Sequence, residues 1–141
     1  MWEEPADFKP KFKVVSCFVQ FEDRFLLLLR NADKSEGNKW GVPGGKIDEG
    51  ETPVQAVKRE IAEETGIDLP EDSFVFYKTA YVRYPDYDFV FTMYSTKLEH
   101  EPKLVVSLSE HQEARWMTPE EALAGPLVMG NEELYRGFFG L

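Results

Sequence analysis

Cysteine is almost missing from this chain: Cys17 stands alone among 141 residues, which excludes an intrachain disulfide and suits a reducing compartment. It lies in an apolar run with no histidine following at a useful spacing, so it reads as a buried core thiol. Basic residues are also in deficit, 16 against 26 acidic ones, for a net charge of −10. That balance argues against a surface that grips a nucleic acid duplex by neutralising rows of phosphates. Long apolar runs are absent, none approaching the 18 or so residues that span a membrane, and Met1 to Pro10 carries Glu3, Glu4 and Asp7 with no apolar stretch. A cytoplasmic protein with neither membrane segment nor signal peptide is expected. Repeats and low-complexity segments are lacking too, so residues 1–141 are expected to form a single domain, and 43% hydrophobic residues give it enough material for one core.

What is present reads as alternating elements. Phe12 to Phe21 is rich in Val, Phe and Cys, Glu22-Asp23 turn the chain, and Arg24 to Arg30 carries four leucines, which predicts two strands joined by a tight turn. Asn31 to Asn38 is polar and predicts an exposed loop, and the glycines of Gly41-Val42-Pro43-Gly44-Gly45 predict another in which a ligand can approach the main chain. Ser73 to Arg83 and Tyr87 to Lys97 predict a hairpin about Tyr84-Pro85-Asp86, with Tyr87, Phe89, Phe91 and Met93 on one face. Glu113 to Met117 suits a short strand, Thr118-Pro119 a helix start, and Asn131 to Phe139 a last helix. This order, β, β, loop, α, β, β, β, α, α, predicts a mixed α/β (α+β) layout.

Between these lies the clearest helix. Thr52 suits a cap, Pro53 the first turn, Gln55 completes a capping box, and Gly66 suits the left-handed residue after a helix ending near Thr65. Val54, Val57, Ile61 and Thr65 form one stripe for the core. Glu60, Glu63 and Glu64 crowd together beside it at spacings of three and four, where like charges repel. Such a run is ordinarily a solvated acidic face. The alternative is a site for divalent cations, since Mg²⁺ takes carboxylates, waters and substrate phosphates.

The 23 residues from Gly45 to Ile67, GKIDEGETPVQAVKREIAEETGI, resemble the signature box of the Nudix hydrolases, G-x5-E-x7-R-E-U-x-E-E-x-G-U with U aliphatic. Gly45, Glu51, Arg59, Glu60, Ile61, Glu63, Glu64, Gly66 and Ile67 fill every specified position. Seven identities at one fixed register arise by chance on the order of once in 10⁸ trials. The resemblance implies an α/β/α sandwich around a mixed sheet and a nucleotide pyrophosphohydrolase that uses Mg²⁺ or Mn²⁺ to hydrolyse a nucleoside diphosphate linked to another group. It implies that Glu60, Glu63, Glu64 and the Gly44 carbonyl are metal ligands, that Glu51 lies near the metals, and that Arg59 orients the glutamates. A further acid outside the box is expected from Glu110 or Glu113, with Glu110 preferred, while His111 is a candidate base, although a lone loop histidine is more often a surface residue. Bound cations are what a protein at −10 needs to hold a polyphosphate and to generate hydroxide near neutral pH.

Arg30 and Lys46 are candidates to hold non-reacting phosphates, though exposed basic residues are common. For the substrate, the pattern of coenzyme A pyrophosphatases is not complete, and the proline expected in ADP-ribose pyrophosphatases is missing, Pro70 being early and Pro85 late. Tyr84, with Tyr81 and Tyr87, resembles dinucleoside polyphosphate hydrolases of the diadenosine tetraphosphate type. Asn131 in Gly130-Asn131-Glu132-Glu133 resembles the base-reading asparagine of MutT-type nucleoside triphosphate pyrophosphohydrolases, but as a helix cap it has an equally plain role. Trp40, Phe76, Tyr81 and Phe91 are candidate stacking surfaces that also suit a core. A nucleoside triphosphate or a modified nucleotide is the leading substrate class, a dinucleoside polyphosphate the nearest alternative. A non-catalytic nucleotide-sensing module is a third, and a homodimer is admitted.

Overall fold

The computed structural model describes residues 2–141. Strand β1 (Pro10–Phe21) runs through the middle of a seven-stranded mixed sheet. It pairs in parallel with β6 (Asp88–Leu98), from Phe12 opposite Phe89 to Phe21 opposite Leu98, and β6 pairs antiparallel with β5 (Val75–Arg83). A strand covered on both faces reads as a near-continuous apolar run, which is the character of Val15 to Val19, all 0–1% exposed. Strand β2 (Arg24–Arg30) meets β1 only at Gln20–Phe25 and Phe21–Arg24, beside the turn at Glu22. It is then flanked by β3 (Trp40–Gly41) and β7 (His111–Met117).

The side-chain alternation of β1 and β2 separates two layers. Val15, Cys17, Val19 and Leu26 point to one face, where Ala56, Val57 and Ile61 of helix α1 (Pro53–Thr65) cover them. Phe18, Phe25 and Leu27 point to the other, under Tyr135 of α3 (Asn131–Phe139) and Ala122 of α2 (Pro119–Leu123). There Phe18 stacks on Phe138 with ring centroids 4.0 Å apart. The result is the expected α/β/α sandwich.

Helix α1 is delimited as its sequence predicts. Thr52 and Gln55 form a reciprocal capping box, Pro53 occupies the first turn, and Gly66, at φ 77°, donates its N–H to the Ala62 carbonyl. Other expectations need correction. The segment from Trp40 to Gly45 contains two short strands rather than a loop: β3, and β4 (Gly44–Lys46), which pairs with Val14–Ser16 of β1. A Cβ on Gly44 would lie against the Val15 carbonyl and 2.8 Å from Ser16 Cα, so only glycine allows that pairing. Ser73 ends a single 3₁₀ turn (Glu71–Ser73) before β5 begins. Asn131 does not cap α3; Gly130, at φ 83°, occupies that position and Asn131 is the first helical residue. Strand β7 begins at His111, two residues earlier than expected, and that makes the histidine a buried one. Among the described residues no helix is long and apolar enough to cross a membrane.

Because Ile61 is fully buried between α1 and the sheet, Ile61→Ala is expected to lower stability by about 2–5 kcal/mol in denaturant unfolding.

Candidate active site

Helix α1 presents its acidic face toward β4. The side chains of Glu60 and Glu64 are 15% and 6% exposed, whereas Glu63 is 60% exposed. Two glycines admit the half-buried Glu60 and the buried Glu64. The Gly44 N–H donates to Glu64 Oε1 at 2.8 Å, and a Cβ on Gly45 would stand 2.6 Å from both Glu60 oxygens. Burial, then the nearby Glu60 charge, pushes the Glu64 carboxyl up to about 9 against the opposing Gly44 N–H. Burial also raises Glu60, more than Arg59 lowers it.

Arg59 joins the acids. Its Nε and Nη2 grip Glu51 at 2.8 and 2.9 Å, Nη1 donates to Glu60 at 2.8 Å and to Glu63 at 3.4 Å, and Nη2 also reaches the Lys46 carbonyl at 3.1 Å. This fork-to-fork pairing is what a planar guanidinium provides and an ammonium does not. Glu51, which also accepts the Asp48 N–H, is held down to about 2 by Arg59.

Strand β7 closes the far side. Glu64, Glu110 and His111 bring donor atoms within 4.8 Å of one another. Glu113 instead pairs with Arg115 at 3.0 Å. His111, expected on the surface, is 7% exposed at its side chain, and its Nδ1 lies 3.7 Å from Glu64 Oε2. Its register opposite Arg30, across an irregularity in the β2–β7 pairing, turns it inward. Burial holds its imidazole below the ordinary value. Its burial was not legible in the sequence, because a lone loop histidine carries no periodic signal, which favours the surface reading over that of a base. Arg30 donates Nε to the Ser35 carbonyl, and its charge acts on Glu64, His111 and Tyr84 alike.

A cavity of about 630 Å³ opens on the α3 side of the sheet, between β5, β6 and Val128–Leu134. Tyr81, Tyr84, Phe89 and Phe91 supply rings, and Arg83, Asn131 and Glu133 supply polar groups. Asn131 is buried, and its Oδ1 accepts the Tyr135 hydroxyl at 2.7 Å. Tyr84 is in edge contact with Tyr87 and packs on Phe89. Glu133, from the Gly130-Asn131-Glu132-Glu133 motif, also lines the space, as do Arg83 and Trp2, which no sequence motif marked. The Lys46 ammonium lies 4.5 Å over the Phe12 ring, outside the cavity lining, and Phe12 stacks on Phe89. Trp40 is core, with the Arg115 guanidinium over its ring, and Phe76 is exposed on β5.

The two glycines generate contrasting predictions. Gly45→Ala displaces the mobile end of Glu60, so the protein is expected to fold with a near-normal melting curve but weakened Mn²⁺ binding by titration. Gly44→Ala meets backbone and is expected to lower the melting temperature itself. The Glu51–Arg59 pair stabilises the fold fully above the ordinary carboxyl value of 4.5 and ceases to do so as pH falls toward about 2. Glu51→Gln is therefore expected to flatten the acid limb of the stability–pH curve over that window, as followed by unfolding at stepped pH.

Comparison with known proteins agrees with this architecture. The NUDIX domain family matches residues 10–138. A CTP pyrophosphohydrolase of Escherichia coli is 29% identical over 131 residues, covering 92% of both chains. An 8-oxo-dGTP diphosphatase from the same organism is 40% identical over 77 residues, 54% of this chain and 58% of that one. The solution structure of the E. coli ORF135 protein superposes with a TM-score of 0.78 at 25% identity, covering 99% of this chain and 95% of that one. With the family match spanning nearly its whole length and the glutamate box intact on α1, this chain belongs to the NUDIX domain family.

Proposed function

We propose that this chain is a divalent-metal-dependent nucleotide pyrophosphohydrolase that opens a phosphoric anhydride of a nucleoside triphosphate or a modified nucleotide. The observation that carries the reading is that Glu60 and Glu64 lie against the Gly44–Gly45 strand, with the exposed Glu63 beside them on α1 and tied to Arg59. Glu64 is buried and Glu60 half-buried, and Arg59 is already engaged with Glu51. Their charge has no other full counterpart, and the oxygen-rich donor set suits Mg²⁺ or Mn²⁺. Glu60, Glu63, Glu64, the Gly44 carbonyl and Glu110 would hold the cations, which when bound supply charge screening and Lewis acidity to the polyphosphate.

The remaining residues bind and orient. Arg59 holds Glu60 and Glu63 on the substrate side of α1, with Glu51 anchoring it from behind. Arg30, whose charge reaches both the carboxylates and Tyr84, is placed to neutralise a phosphate lying between them. The α3-side cavity takes the base, stacked among Tyr84, Tyr81 and Phe91. Asn131, its oxygen occupied by Tyr135, is left with its NH₂ to donate to an acceptor on the ring edge. Lys46, resting on Phe12, is at hand for the outer phosphates. The relatives named as CTP pyrophosphohydrolase and 8-oxo-dGTP diphosphatase support a single nucleotide as substrate.

The aromatic run Phe12, Phe89, Tyr87 and Tyr84, with neighbouring centroids about 5.3–6.2 Å apart, favours a second reading as a dinucleoside polyphosphate hydrolase. Phosphorus NMR on a nucleotide panel with Mg²⁺ separates the two. Pyrophosphate release from a single nucleotide is expected, and asymmetric cleavage of a dinucleotide alone would overturn the first reading. Glu63→Gln, exposed and so tolerated by the fold, is expected to abolish turnover; unchanged turnover would remove the metal assignment. Asn131→Ala is expected to raise KM about tenfold, the loss of one good hydrogen bond, with a smaller change in kcat.

A further inference from the structure

The residues facing Glu64 say more about the cation than the carboxylates of α1 do. Among the described residues, Ser16 Oγ and His111 Nδ1 are the buried side-chain polar atoms without a hydrogen-bond partner. His111 is more than nine-tenths buried and aimed at Glu64. Its Nδ1 is 3.7 Å from Glu64 Oε2, too far for an N–H···O bond. That separation is within the span of two donors on one ion. Ligands about 2.1 Å from a cation stand about 3.0 Å apart when adjacent and about 4.2 Å when opposite. Glu110 completes the set, one imidazole nitrogen and one oxygen of each carboxylate lying within 4.8 Å of one another.

We propose that His111 Nδ1 is an inner-sphere ligand of a divalent cation shared with Glu64 and Glu110, making one metal position of this enzyme a mixed nitrogen and oxygen site. This rests on the metal-dependent reading above and adds to it a preference among ions. Imidazole is a poor partner for Mg²⁺, which demands oxygen and sheds water reluctantly, and a better one for transition-metal ions. The site should therefore hold Mn²⁺ or Co²⁺ well ahead of Mg²⁺, with the imidazole proton on Nε2.

The test is electron spin echo envelope modulation of Mn²⁺ bound to the full chain in the presence of a methylene-bridged nucleoside triphosphate. Modulation from a coordinated imidazole nitrogen is expected, changing to the ¹⁵N pattern when histidine is ¹⁵N-labelled. It should persist in His100→Gln, where the substituted side chain is exposed, and vanish in His111→Gln. The ratio of Mg²⁺ to Mn²⁺ dissociation constants should fall about tenfold in His111→Gln. If that variant does not fold, ¹⁵N-histidine labelling of His100→Gln, where His111 is the one histidine left, still decides the matter. Bound Mn²⁺ without histidine coupling, or coupling that survives His111→Gln, overturns the assignment and leaves the carboxylate site standing. No Mn²⁺ bound at all overturns both.

Discussion

Glu64 is a carboxylate 6% exposed, one helical turn from Glu60, with a single backbone N–H to satisfy it. Desolvation of such a group, compounded by a like charge, is costly unless it is protonated or a cation neutralises it. Much of the surrounding structure follows from tolerating that arrangement. Gly44 must lack a side chain so that its N–H can reach Glu64 while β4 pairs with β1, and Gly45 must lack one so that Glu60 can lie against the strand. Arg59 spreads its donors over Glu51, Glu60 and Glu63, so part of the repulsion on the helix face is offset within the chain. What Arg59 does not reach is Glu64, and that carboxylate faces His111 and Glu110.

The sheet divides labour between its faces. Helix α1 is packed against Val15, Cys17 and Val19 by fully buried residues, which gives its acidic face little freedom to move. On the other face, α3 and the segment before it leave an aromatic cavity beside β5 and β6. Arg30, at the end of β2, is electrostatically coupled to both. On the proposed reading, a polyphosphate held at the carboxylates with its base in the cavity would pass this residue.

Legibility differed from residue to residue, for physical reasons. The limits of α1 were readable because Thr52, Pro53, Gln55 and Gly66 act through local hydrogen bonds and backbone dihedrals. The acidic face was readable because helical spacing converts sequence separation into proximity. The two short strands at Trp40–Gly41 and Gly44–Lys46 were not, since glycine signals permissiveness, and whether that freedom serves a loop or a tight strand pairing depends on the partner. The cap of α3 was not legible for a related reason: of the two roles open to Asn131, capping falls to Gly130, and the asparagine turns inward to Tyr135.

The glutamate helix with its arginine and the signature box were legible in residue order because both are encoded over short range, and the α/β/α layering followed from the family resemblance that the box carries. It took the folded chain to show that His111 is buried and turned toward Glu64, that Glu110 joins that carboxylate while Glu113 pairs with Arg115, and that Tyr84 and Asn131 line one cavity. Those meetings join residues from separate strands and helices, and their proximity is set by sheet register and packing, which no local pattern of residues records.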